Sequence, residues 1–282
     1  MTTDKTPTTD ASDGAPHAAP RAGAEPPDPG REAEPPETGL TELQTLRWQD
    51  PLAWLVLGWK DFIRAPGIGL FYGGVFMVMG WALLKVYEHA PAYTLALSAG
   101  FLLMGPFLCL GLYRVSQRLE AGQQPDLGDS LLAWDTRTGQ LAIFGFVLLV
   151  LEMLWGRATL VVFAVSFEGM PDFKGSLLAL LDPQNIEFIV AWAAVGALFA
   201  GLIFAVSVIS IPMILDRQTD AITAGLTSMR LVLTQTGVML WWGALIAVIS
   251  VLALLPWFAG LLVAGPVIGH ASWHAYRAAV AT

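Results

Sequence analysis

Two charged side chains inside one apolar run are the first residues that could do chemistry. Glu152 and Arg157 both lie in the block 139–166. A charge at the bilayer centre costs about 2.5–3.5 kcal/mol on insertion scales, so each calls for a partner or a polar path. Five residues apart on a helix, they point about 140° from each other. They can meet through long side chains or pair with other helices, or Arg157 can reach out to the membrane edge. The chemistry such residues support is passage of an ion, a proton or a small solute. His270 and His274 form the second pair. They lie one turn apart on one helical face, a spacing that can offer two imidazoles to a metal or haem. No Asp, Glu or Cys accompanies them on that segment, and the neighbouring Trp273, Tyr276 and Arg277 suit the aromatic and basic edge of a membrane equally well. The chain contains no HExxH, GxSxG, phosphate-binding loop or CxxC. Its one cysteine, Cys109, sits in an apolar block and excludes an intramolecular disulfide or a cysteine cluster. The expectation is a protein that is not an enzyme and carries no cofactor.

The elements that must position these residues are membrane helices. Of the 282 residues, 55% are hydrophobic and 13% charged, with mean hydropathy +0.59, whereas soluble domains carry about 25% charged residues. Six apolar blocks meet the length of about 20 residues that a helical span needs. They fall near Gly67–Val86, Ala92–Val115, Gly139–Ser166, Glu187–Leu215, Gly237–Leu255 and Pro256–Tyr276. Residues 1–39 form an acidic Pro/Ala-rich tail with eight acids against three bases, too poor in large apolar side chains to fold alone. The tail holds no apolar run, so the first span is expected to serve as its own insertion signal. Residues 40–66 interleave Trp48, Trp54 and Trp59 with Leu52, Leu55 and Val56 at helical period, and end in Lys60, Asp61 and Arg64. This pattern predicts an interfacial helix ahead of the six-span domain 67–277. The predicted fold is thus all-α, a polytopic transmembrane bundle.

Charge distribution orients it. Arg47, Lys60, Arg64, Arg114, Arg118, Arg137, Arg217, Arg230 and Arg277 fall in alternate gaps, against only Lys85 and Lys174 in the others. Nine against two puts both termini in the cytoplasm. No basic face suits a nucleic acid. Within the basic gaps, Asp126 and Asp220 are helix-capping types, and Ile222, Leu226, Met229 and Leu233 form an apolar stripe, which predicts short amphipathic cytoplasmic helices. Gly69 with Gly73 and Gly265 with Gly269 have the small-xxx-small spacing that lets helix backbones approach in lipid. Pro106, Pro212 and Pro266 interrupt or bound apolar helices and are expected to kink them.

Several stretches taken together resemble a known family. They are Leu57-Gly58-Trp59-Lys60-Asp61, Gly105-Pro106-Phe107, Ser210-Ile211-Pro212-Met213 with Asp216-Arg217, and the terminal run from Gly265 to Arg277. Over residues 45–278 the chain is similar to the bacterial integral membrane family catalogued as domain of unknown function 2189. The resemblance implies a multi-pass inner-membrane protein and implies no activity. The function expected is a non-enzymatic organising or assembly factor in contact with the lipid bilayer and other membrane proteins. The alternative is a small-solute or ion transporter or channel using Glu152 and Arg157.

Overall fold

The computed structural model describes residues 41–89, 94–166 and 186–280. The 1–39 tail and the 167–185 connection, with Lys174, lie outside the described residues. Among those described, the chain is helical, with one isolated bridge between Leu43 and Val280.

Helix α1 (Asp50–Arg64) begins where Pro51 fixes a helical φ and ends at Ala65, ahead of Pro66. Helices α2 (Pro66–His89) and α3 (Thr94–Glu120) follow. A short α4 (Leu127–Leu131) and one turn of 3-10 helix (Asp135–Arg137) lead into α5 (Thr138–Ser166). Helices α6 (Ile186–Ser207) and α7 (Ser210–Arg217) are two parts of one apolar stretch. Its break at residues 208–209 precedes Pro212, which lacks the N–H that would bond back to the previous turn. Ser210 Oγ donates to the carbonyls of Val206 and Ala224 there, and Ser228 Oγ accepts from Ile209 N–H. Helices α8 (Ala221–Thr234), α9 (Thr236–Leu254) and α10 (Leu261–Ala279) complete the chain.

Four stretches among the described residues are long and apolar enough to cross a membrane: α2, α5, α6 with α7, and α9. The other two expected spans, α3 and α10, stand in the same bundle but turn polar in their C-terminal halves, with Arg114, Ser116, Gln117 and Arg118 in one and His270, Ser272, His274 and Arg277 in the other. The expected count of six therefore rests on four apolar spans and two helices of mixed character.

Helix α10 is the hub, packed by α1, α2, α3 and α9. Its small residues set the distances. A Cβ at Gly73 would lie 2.1 Å from the Leu262 carbonyl oxygen, and one at Gly58 2.6 Å from that of Val267, so α2 and α1 lie backbone-close to α10. At Gly69, Gly265 and Gly269 the space is taken by Phe62, Phe76 and Leu112 respectively. Pro106 and Pro266 lie inside α3 and α10, which continue through them. Helix α1 is docked rather than simply laid on a surface. Trp54, Gly58, Asp61 and Phe62 are buried, and Trp54 meets Trp242 edge-on, while Leu52, Val56, Trp59 and Ile63 are exposed on the opposite face. The tight turn between α9 and α10 holds Trp257 and Phe258 at positive φ, and the Trp81 indole donates to the Trp257 carbonyl at 2.7 Å.

Asp220 caps α8, accepting from the amides of Ile222 and Thr223, and Asp126 caps α4 through Asp129 N–H. Three of the four residues in the apolar stripe of α8 face outward, and the fourth, Met229, is partly buried against the core. Ile222, Leu226 and Leu233 are exposed, while Ala224, Thr227, Ser228 and Leu231 are buried. The packed face thus combines the small residues Ala224, Thr227 and Ser228 with the larger Leu231 and Val232.

Candidate functional site

The polar halves of α3 and α10 meet beside the end of α1, and a closed set of buried polar side chains forms there. Ser116 on α3 is fully buried and its Oγ donates to Asp61 Oδ2 of α1 at 2.8 Å. His274 Nε2 on α10 lies 2.8 Å from the same oxygen. The His270 Nδ1 stands 2.8 Å from Ser116 Oγ. A serine hydroxyl has one hydrogen, here given to Asp61, so His270 Nδ1 is the donor in that contact. His270 Nε2 is buried with no hydrogen bond, although the Leu112 backbone lies beside the ring. Burial alone would raise the Asp61 carboxyl. The bonds from His274 and Ser116, with the two imidazoles, outweigh that and hold it below its ordinary 3.8.

A second ring of contacts surrounds this core. Asp216 of α7 accepts from Tyr276 OH at 2.7 Å and from Gln117 at 2.9 Å, with Arg277 at 3.6 Å. Glu120 accepts from Arg277 and from the Trp273 indole, each at 3.1 Å. Arg114 bonds Asp129 at 2.9 Å, which draws that carboxyl below its ordinary range and ties α4 to α3. Gln235 joins this end to the segment before α1, donating to the Gln44 carbonyl and accepting from Leu46 N–H.

Aspartate, serine and histidine lie together, but they do not form a nucleophile with its base. Ser116 has no exposed surface, and its hydroxyl hydrogen goes to the carboxylate rather than to an imidazole. What the arrangement can do is hold a negative charge and two imidazoles in register and lock three helices together. His270 and His274 direct their nitrogens at different partners. Among the described residues no group of three or more His, Cys, Asp or Glu side chains is arranged to hold a metal ion.

Glu152 and Arg157 are not brought together. Glu152 is 7% exposed and lines a cavity of about 290 Å³ between α3, α5 and α6, with Trp155, Phe199, Phe204 and Ser207. Its Oε2 has no hydrogen-bond partner. Arg157 is exposed, and among the described residues no bond joins it to Glu152. A larger apolar cavity of about 430 Å³ lies between α2, α3, α4 and α5, with Tyr72 OH 3.1 Å from Ser130 Oγ on its wall. Sequence reasoning singled out the two histidines but missed Asp61 and Ser116 as their partners. The available signal was their type: an acid ending an apolar helix face and a serine among arginines, both at the polar end of a helix.

Fold and polar end together define a helical integral membrane protein. Residues 94–216, from α3 through α7, match the family described as predicted integral membrane protein (DUF2189). The match leaves out α1 and the terminal run Gly265–Arg277, so it is narrower than the resemblance read over 45–278. No curated protein and no solved structure matches the chain.

Proposed function

We propose that this is a non-enzymatic inner-membrane protein that organises or assists assembly of other membrane components, with its polar end and both termini in the cytoplasm. The observation that carries this reading is the division of labour at the polar end. Most of its buried polar groups are spent on one another, His270 Nε2 and Arg118 Nε excepted, while Leu132, Trp134, Ile222, Leu226 and Leu233 are exposed around it. Grouped exposed apolar side chains on a rigid support suit contact with lipid headgroups and a membrane protein. The test is native electrophoresis and mass measurement of the protein from mild detergent. A second membrane polypeptide at fixed stoichiometry is expected, and it should be lost in an Ile222→Ser, Leu226→Ser, Leu233→Ser variant whose helicity is unchanged. A wild-type protein that runs alone under all conditions would remove the proposal.

A second reading, passage of a small solute or ion, is favoured by the enclosed carboxylate of Glu152 beside its cavity. It predicts flux in reconstituted vesicles that Glu152→Gln alters. Sealed vesicles indistinguishable from protein-free ones would count against it.

A further inference from the structure

We propose that the cavity between α3, α5 and α6 is a binding site for an organic cation, a lipophilic ammonium whose charge pairs with Glu152. This deepens the second reading above, resting on the same site, but it requires binding only and no flux. The carboxylate is 7% exposed, and among the described residues neither a donor nor a cation reaches it. Arg157, five residues further along α5, is exposed and makes no bond to Glu152. A buried carboxylate that has no counter-charge among the described residues is stabilised in its ionised form by a cation brought alongside it. A strongly hydrated metal ion is a poor fit, because it needs several oxygen ligands and the wall offers only Ser207 besides the carboxylate. The rest of the wall is aromatic and aliphatic. Trp155, Phe199 and Phe204 can face a quaternary or protonated amine, whose charge is drawn to aromatic faces while its body fills apolar space.

The helices are shaped for this. Glu152 and Trp155 share one face of α5, and Thr159, a turn further on, has a buried hydroxyl with no partner. Opposite them, Gly196, Ala200, Ile203 and Ser207 recur on one face of α6. A Cβ at Gly196 would stand 4.0 Å from the Trp155 indole nitrogen, so the small residue leaves that indole uncrowded. Leu102 on the rim is 55% exposed, which gives a lateral entrance from the lipid side.

Equilibrium binding of radiolabelled benzyltrimethylammonium to the full chain in nanodiscs tests the proposal. Saturable binding at one site per chain is expected. Glu152→Gln should weaken it at least tenfold, Arg157→Gln should leave it unchanged, and the neutral isostere neopentylbenzene should not compete. Ala200→Phe, which fills the cavity and keeps the carboxylate, should also abolish binding, so the outcome does not hang on whether Glu152→Gln folds. Wild-type affinity in folded Glu152→Gln or in Ala200→Phe, or equal competition by neopentylbenzene, would overturn it. Binding without flux in vesicles leaves this site standing and removes transport. Flux of other solutes without saturable cation binding removes this site and leaves transport.

Discussion

Asp61 is the residue on which the polar end turns. It accepts from Ser116 and His274 through one oxygen and faces both imidazoles, so it links α1, α3 and α10. Hydrogen bonds to a charged group contribute about 1.5–3 kcal/mol, and Asp61→Asn should lower stability by about that amount, read as a fall in melting temperature in detergent. The pH dependence follows from its depressed pKa. A carboxyl whose folded pKa lies below its unfolded value stabilises the fold above the unfolded value, and that contribution disappears as pH drops through the folded one. Thermal stability of the wild type should therefore fall below about pH 4, and Asp61→Asn should show a shallower fall. Equal slopes would show that Asp61 carries no such linkage. The histidine pair was legible in the sequence from its four-residue spacing. Its partners were not, because Asp61 and Ser116 lie on helices far away in sequence that only tertiary packing brings alongside. Glu152 and Arg157 were legible as an anomaly in the same way, and their separation by side-chain direction followed from helical geometry, but the cavity depends on what α6 presents opposite them.

Periodicity marked the helices correctly, but it did not say which face turns inward. Helix α8 makes this plain. Its large apolar stripe reads as a buried face by the rules of water-soluble proteins, yet Ile222, Leu226 and Leu233 are exposed, while Ala224, Thr227 and Ser228 pack under the α6–α7 break and Leu231 and Val232 are buried as well. Ala224 is fully buried, so Ala224→Leu should overpack that contact and destabilise the protein by about 1–3 kcal/mol. Leu226→Ser on the exposed face should change stability by less than about 0.5 kcal/mol. Thermal denaturation of the two variants decides between the faces, and a larger loss for Leu226→Ser would reverse the assignment. Helix α1 shows the same principle. Its tryptophans pointed to the membrane edge, but Gly58 lets it lie directly on the α10 backbone. Gly58→Leu should detach it, exposing Trp54, which is only 2% exposed in the folded protein. A red shift in tryptophan emission would report this, and unchanged emission with native stability would contradict the backbone-close contact.

At the scale of the whole molecule, the nine Lys and Arg residues of the alternate gaps stand at the end that holds the Asp61 network, accompanied by Glu42, Asp50, Asp61, Glu120, Asp126, Asp129, Asp135, Asp216 and Asp220. Nine bases against nine acids balance outside the tail, and in the proposed orientation the 1–39 tail adds eight acids against three bases to that end. The positive-inside bias counts Lys and Arg rather than net charge, so the acids at that end do not weigh against the proposed orientation, while they offer nothing to a polyanion. Composition and charge spacing made the membrane bundle legible. The number of crossing helices was less so, because α3 and α10 combine a lipid-suited half with a polar half that other helices cover. The proposal stands first on this polar end facing the cytoplasm. Single cysteines introduced by Gln123→Cys at that end and Glu88→Cys at the other, in a Cys109→Ala background, can be labelled with a membrane-impermeant maleimide in intact cells whose inner membrane is accessible from outside. Labelling of Glu88→Cys at once and of Gln123→Cys only after lysis is the predicted result. The reverse pattern would contradict the account.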